Sequence, residues 1–233
     1  MINPNHLERL WLWFFPRRCV WCMGVCEARE MLCADCAGKA EPASEPGLLP
    51  ETNLPLISAF TYHSKARQIL MNLKFHKGKN MAHSIGYAMA DAIAGVPAFT
   101  ELADKPGWLF CAVPMILLGV KQRGYNQSEL LARAAARWLG MEYAPGVLVK
   151  TRETPAQHGL PREERRKNVI GAFAAADPKL IAGRKIVLCD DICTTGATLR
   201  EIVGVLQEAG AKEIICLTYL RTDLEEENLD SEV

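Results

Sequence analysis

The sequence predicts an open α/β sheet of parallel strands, preceded by a small metal-held segment. Short apolar runs such as Ile186–Cys189 alternate with longer stretches of helical spacing. That run is apolar at every position, as strands covered on both faces are. Alternation of this kind favours parallel strands joined by right-handed crossovers. Ahead of the first strand, Cys19-x-x-Cys22 and Cys33-x-x-Cys36 stand close together, which is metal-ligand spacing.

Leu10–Phe15, "LWLWFF", ends at Pro16 and Arg17-Arg18 and reads as an amphipathic helix on the main body. A membrane-crossing helix takes about 20 apolar residues, far more than this run holds. Glu8 ahead of it, with no small-residue cleavage pattern behind, argues against a secretory leader. The cytoplasm is the expected location. Residues 1–37 thus carry the helix and the cysteine cluster. Residues 38–55 hold Pro42, Pro46, Pro50 and Pro55 and read as an extended, poorly packed linker.

The main domain is expected over residues 56–221. Leu56–Tyr62 reads as a strand, and Lys65–Leu73 and Met81–Ala94 as helices. Leu109–Val113 is a buried strand stopped by Pro114. Asn126–Leu139 has helical spacing, with Asn126 as N-cap and Gly140 as the stop. Val147–Lys150 is a short strand, and Ile186–Cys189 a central one. Thr198–Ala209 is a helix closed by Gly210, and Glu213–Tyr219 the last strand. The acidic residues 222–233 read as a frayed tail.

Lys plus Arg and Asp plus Glu both number 27, so no overall field draws the chain to nucleic acid or membranes. Any anion site must be local. Five of the nine cysteines fall within Cys19–Cys36, and Cys189 and Cys216 sit inside apolar runs. That distribution fits a reduced compartment and one metal site better than a disulfide framework. Four thiolates from Cys19, Cys22, Cys33 and Cys36 suit a structural Zn²⁺ in tetrahedral geometry. Such an ion would order a segment too small to form its own core. Cys26 is a surplus, either a substitute ligand or a free thiol. A redox Cys-x-x-Cys pair fits less well, since such motifs open a helix after a strand and do not come in duplicate.

The sharpest chemical signal is "IVLCDDICTTGATL" at 186–199. In open α/β sheets ligands bind beyond the carboxyl ends of the strands, where Asp190 and Asp191 sit. Thr194, Thr195 and Gly196 then lead into a helix whose first N–H groups have no partners within it. That turn is an anion cradle, yet two carboxylates would repel a bare phosphate. A ligand carrying both a phosphate and neutral hydroxyls removes the conflict, and a ribose 5-phosphate is one. A Walker B strand would need a GxxxxGK[ST] loop, and the sequence has none. A phosphoacceptor aspartate leaves the Thr-Thr-Gly turn without a role. Each residue alone also fits an ordinary strand-to-helix turn with capping threonines.

"VLCDDICTTGATL" resembles the phosphoribosyl-pyrophosphate (PRPP) motif of type I phosphoribosyltransferases. "VPMILLGVKQRGYNQSELL" (113–131), "QHGLPREERRKNVIGAF" (157–173) and "NLKFHKGK" (72–79) resemble segments of the competence-protein ComF/GntX-like branch, as does the N-terminal CxxC pair. The resemblance covers nearly the whole chain except the linker and tail. It implies the open sheet of the type I phosphoribosyltransferase kind with an N-terminal zinc ribbon. It also implies Mg²⁺-dependent transfer of ribose 5-phosphate from PRPP to an acceptor that these segments do not specify.

Carried over, Asp190 and Asp191 would hold the ribose hydroxyls, and Thr194, Thr195, Gly196 and Thr198 the phosphate. Lys121 and Arg123 lie just beyond the turn after Val113-Pro114, where the leaving pyrophosphate would bind. They fit equally well as solvated loop charges. The family usually has a basic residue soon after VP, whereas here Ile116-Leu117-Leu118-Gly119 is apolar. Residues 151–171 correspond to a mobile loop closing over PRPP, with Arg152, Gln157, Arg165 and Asn168 as candidates for catalysis or closure. Such a loop would keep water from the reactive intermediate; a solvated basic loop is the alternative. His158 is a candidate general base, although loop histidines are more often bystanders. The family's link to DNA uptake adds two expectations: an accessory protein that binds PRPP or a nucleotide without catalysis, or a ribbon that docks single-stranded DNA or an uptake protein.

Overall fold

The computed structural model describes residues 18–26, 32–40, 42–43, 45–62, 64–75, 79, 81–96, 99, 108–154 and 162–222. The expected helix at 10–15 and the tail from residue 223 lie outside them. After the cysteine-rich segment and its short helix α1 (Ala34–Ala37), the chain runs β1 (Gly47–Leu48), β2 (Pro55–Thr61), α2 (Ser64–Phe75), α3 (Met81–Ala94), β3 (Trp108–Ala112), α4 (Leu117–Arg123), α5 (Gln127–Leu139) and β4 (Glu142–Tyr143). It continues with β5 (Leu148–Lys150), α6 (Arg162–Val169), β6 (Phe173–Ala175), a 3-10 turn (Pro178–Leu180), β7 (Lys185–Cys193), α7 (Ala197–Glu208) and β8 (Glu213–Arg221).

Six strands form one sheet in the order β1-β2-β8-β7-β3-β4, and every pairing is parallel except β1 with β2. The predicted α/β class and mostly parallel sheet are what the structure shows. Alternation along β7 explains why its sequence is apolar throughout. Ile186 and Leu188 enter one core layer with Leu199, Ile202 and Leu206 of α7. Val187 and Cys189 enter the other with Ile85 and Met89 of α3 and Leu131 of α5. β5 and β6 pair separately as an antiparallel hairpin that brackets α6. Among the described residues no helix is long and apolar enough to cross a membrane.

Three expectations need correction. The proline-rich segment 38–55 is not loosely packed. It bridges Pro42 to Phe60, adds β1 to the sheet edge and buries Leu49 completely. Two adjacent leucines, Leu48 and Leu49, are too short a signal to outweigh four prolines in composition. Residues 117–123, expected as a loop, form a helix closed by Gly124 at φ +84°. β7 does not stop at Cys189 but carries both acids within it.

The cysteine segment shares the main core. Cys19 and Val20 are fully buried, and the Trp21 ring lies 5.1 Å from that of Phe60 on β2. α3 and α5 cross closely at Gly86, where an added Cβ would overlap Ala134 Cβ and lie 3.1 Å from Ala135 N. Gly86→Ala should therefore lower the thermal unfolding midpoint, at a cost of about 1–3 kcal/mol from overpacking. An unchanged midpoint would mean that the two helices separate freely by the width of a methyl group.

Candidate functional site

The site begins where β3 ends. Val113 N–H donates to Cys189 O at 2.9 Å, the last bond of the ladder between β3 and β7, and Pro114 follows. β7 runs on through residues 190–193 beside β8, with Asp190 opposite Thr218 and Ile192 opposite Leu220. The edge left open above β3 receives the first turn of α5. Asn126 fixes that turn: its Oδ1 accepts from Ser128 N at 3.1 Å, and its Nδ2 donates to Val113 O at 2.9 Å. The Tyr125 hydroxyl donates to Leu73 O and ties the same corner to α2.

Gln127 and Ser128 consequently meet the two acids. Asp191 is 4% exposed; its Oδ2 accepts from Gln127 Nε2 at 2.9 Å and lies 2.8 Å from Lys74 Nζ of α2. Asp190 is half-buried, and its Oδ1 accepts from Ser128 Oγ at 2.7 Å and from Asp191 N–H at 2.8 Å. In each carboxylate one oxygen thus takes two donors. The other, Oδ1 of Asp191 and Oδ2 of Asp190, has no hydrogen bond among the described residues. Burial pushes the Asp190 carboxyl up, and the neighbouring Asp191 charge pushes it further. Ser128, the Asp191 amide and Lys74 pull it down, and the balance stands at about 7.

After the acids comes the turn. Gly196, at φ +72°, occupies the N-cap of α7, and a Cβ there would lie 3.0 Å from Pro50 Cδ and 3.1 Å from Leu49 Cδ1. Both the left-handed backbone and the crowding call for glycine. Thr195 is buried, and its Oγ1 accepts from Ala197 N at 3.4 Å. Arg200, one turn into α7, donates from Nη1 to Thr195 O at 2.9 Å and to Pro50 O at 3.0 Å. It thereby clamps the turn against residues 49–51. Thr194 and Thr198 are half-buried beside it. A strand end, a glycine turn and a helix N-terminus thus form one continuous cradle next to two oriented carboxylates.

The other candidates are placed as follows. Arg123 Nη1 donates to Gln127 Oε1 at 2.5 Å, and Lys121 is exposed on the same helix α4. Leu117 and Leu118, in the apolar stretch, are 77% and 51% exposed. Arg152 donates to the carbonyls of Asn168 at 3.0 Å and Ile170 at 2.7 Å, tying β5 to the end of α6. α6 occupies part of the expected mobile loop. Gln157, His158 and the Arg165 side chain lie outside the described residues. Sequence reading missed Lys74, Gln127, Ser128 and Arg200 as parts of the site. A polar Gln-Ser pair directly after an N-cap, and one lysine closing an apolar helix, were the signals available.

The Sγ atoms of Cys19, Cys22, Cys33 and Cys36 all lie within 4.8 Å of one another, and those of Cys22 and Cys33 are 3.6 Å apart. Trp21 N–H and Gly24 N–H donate to the sulfurs of Cys19 and Cys22 at 3.3 and 3.4 Å. The Cys19 thiol is pushed up by burial, but backbone donors from Cys33, Cys22 and Trp21 outweigh this and bring it down to about 7. Four clustered sulfurs, one of them disposed to ionise, are a donor set that suits Zn²⁺. Cys26 is buried beside this cluster, its thiol pushed up by burial and by the neighbouring Cys19.

A carboxyl whose folded pKa of about 7 exceeds its ordinary value of 3.8 contributes stability that is full below pH 3.8. That contribution is lost as pH rises through 7. Asp190→Asn should therefore gain thermal stability relative to wild type as pH is raised from 5 to 8. Unfolding midpoints across that range check this; a constant gap between the two proteins would place the ionisation in the ordinary carboxylate range.

The model of the phosphoribosyl transferase domain family matches residues 112–232, more than half of the chain. The DNA utilization protein YhgH of Escherichia coli O157:H7 is 28% identical over 210 residues, spanning 88% of this chain and 90% of the relative. Competence protein F of Haemophilus influenzae is 37% identical over 103 residues, 44% of this chain and 45% of that one. Competence protein ComFC of Streptococcus pneumoniae is 34% identical over 121 residues, 52% and 51% of the two chains. The matched segment runs from the last residue of β3 through the acids, the glycine turn and β8. The chain belongs to the phosphoribosyl transferase domain family.

Proposed function

We propose that the protein binds PRPP with its chelated Mg²⁺ and transfers ribose 5-phosphate to an acceptor. One observation carries this. Asp190 and Asp191 each keep one carboxylate oxygen for a ligand, beside a glycine turn that opens a helix. Two hydroxyls of a ribose supply donors for those oxygens, and its 5-phosphate suits the N–H groups and dipole at the start of α7. Asp190 and Asp191 are the groups that would hold the sugar. Thr194, Thr195, Gly196 and Thr198 would line its phosphate. Departure of pyrophosphate leaves positive charge on the ring, which the adjacent carboxylates stabilise. A loop that includes α6 would close over the bound sugar, with Arg152 as the tether of that helix and Arg165 as the residue proposed to serve turnover. Nine cysteines free of disulfides suit a cytoplasmic setting.

A second reading is favoured by the apolar surface of α4. Leu117 and Leu118 are exposed where a pyrophosphate group would need basic side chains. A protein of that kind would bind ribose phosphates as an accessory factor in handling DNA, in line with the names of its relatives, DNA utilization protein and competence protein. Calorimetric titration separates the readings. Wild type should bind PRPP with Mg²⁺ more tightly than ribose 5-phosphate, and Asp190→Asn/Asp191→Asn should weaken PRPP by at least about tenfold. Equal affinity of both proteins would remove the acids from the site. PRPP bound no more tightly than ribose 5-phosphate would favour the accessory role.

The segment up to residue 37 is proposed to be a zinc ribbon. Cys19, Cys22, Cys33 and Cys36 would hold the ion with no open position, so the metal is structural. Metal analysis of purified protein should find one zinc per chain, lost in Cys33→Ser together with several degrees of thermal stability. A metal-free protein that is fully folded would end that assignment.

A further inference from the structure

We propose that Lys74 and Gln127 are positioning residues that aim the free oxygen of Asp191 at a sugar hydroxyl, a role that rests on the ribose-phosphate reading above. Three separate stretches of chain supply the parts: Lys74 from α2, Gln127 from the start of α5, and Asp191 from β7. Both donors converge on the same atom, Oδ2 of Asp191, at 2.8 and 2.9 Å. Two donors on one oxygen fix the rotation of the carboxylate and leave Oδ1 as the acceptor for a ligand.

The Gln127 amide has its own orientation set by chemistry. A guanidinium can only donate and a carboxylate can only accept. With Arg123 on one side and Asp191 on the other, Oε1 must face Arg123 and Nε2 must face Asp191, as they do. Lys74 then balances a carboxylate that is almost fully enclosed, and its own side chain is only 20% exposed. Its helix is held at this height by the bond from the Tyr125 hydroxyl to Leu73 O. Tyr125 and Gln127 thus fasten both ends of the contact from one short stretch of chain. An ion pair serving stability alone would need neither the amide nor its second support from Arg123.

The test uses the intact protein and two probes, inorganic phosphate and ribose 5-phosphate. Phosphate reaches only the glycine turn, whereas ribose 5-phosphate reaches the turn and the acids. Gln127→Leu and Lys74→Met should each weaken ribose 5-phosphate by about tenfold, the effect of one misdirected bond to a charged group, and leave phosphate affinity unchanged. Gln127→Leu keeps the ion pair, so it reports even if Lys74→Met does not fold. Equal losses for both probes would make these residues general supports of the fold and overturn the positioning role. No loss for either would do the same. Wild type binding ribose 5-phosphate no better than phosphate would instead sink the underlying sugar-phosphate reading.

Discussion

β3 stops while its neighbour β7 runs on, and the site is built in the space this leaves. The ladder between β3 and β7 closes with the bond from Val113 N–H to Cys189 O, one residue before Pro114. β7 continues past it through residues 190–193, which lose their neighbour on that side. A buried backbone edge must find other partners, and the start of α5 fills the gap. Asn126 both caps that helix and bonds to Val113, so one side chain sets its height and its approach. The positive end of the helix dipole then points toward two negative charges.

Adjacent carboxylates in a partly enclosed place are costly, and the surroundings show how the cost is met. Three hydrogen-bond donors and one lysine serve the pair. Asp190, the more exposed of the two, is pushed up to about 7 by burial and by the Asp191 charge. Removing the partner of an enclosed charge typically costs about 3–5 kcal/mol, so Lys74 and Asp191 constrain one another. A site that keeps strained electrostatics in the free protein is expected where a ligand relieves them on binding. In the proposed function, the hydroxyls of a bound sugar would do so.

Most of the fold was legible because it rests on local patterns. Met81–Ala94 matches its helix end for end, and Asn126 and Gly140 close α5 as their side-chain chemistry requires. The acids, the threonines and Gly196 were legible because they are contiguous in the chain. Gln127 and Lys74 were not, since they reach Asp191 across 64 and 117 positions, and only the crossover topology brings them together. α6 was hidden by its composition: "REERRKNV" is polar almost throughout and carries little apolar periodicity. Arg152 is a candidate for catalysis by its place in a charged loop, and the structure adds two carbonyl acceptors at the end of a helix that the pattern does not reveal.

Leu49 and Pro50 press against Gly196 from outside the strand-turn-helix unit, and Arg200 laces Pro50 to Thr195. One wall of the cradle therefore comes from the stretch that joins the cysteine segment to the sheet. Excising the chain at β2 to obtain a minimal phosphoribosyl transferase domain would strip that wall and expose the glycine bend to solvent. The smallest intact version of the molecule has to begin upstream of residue 49.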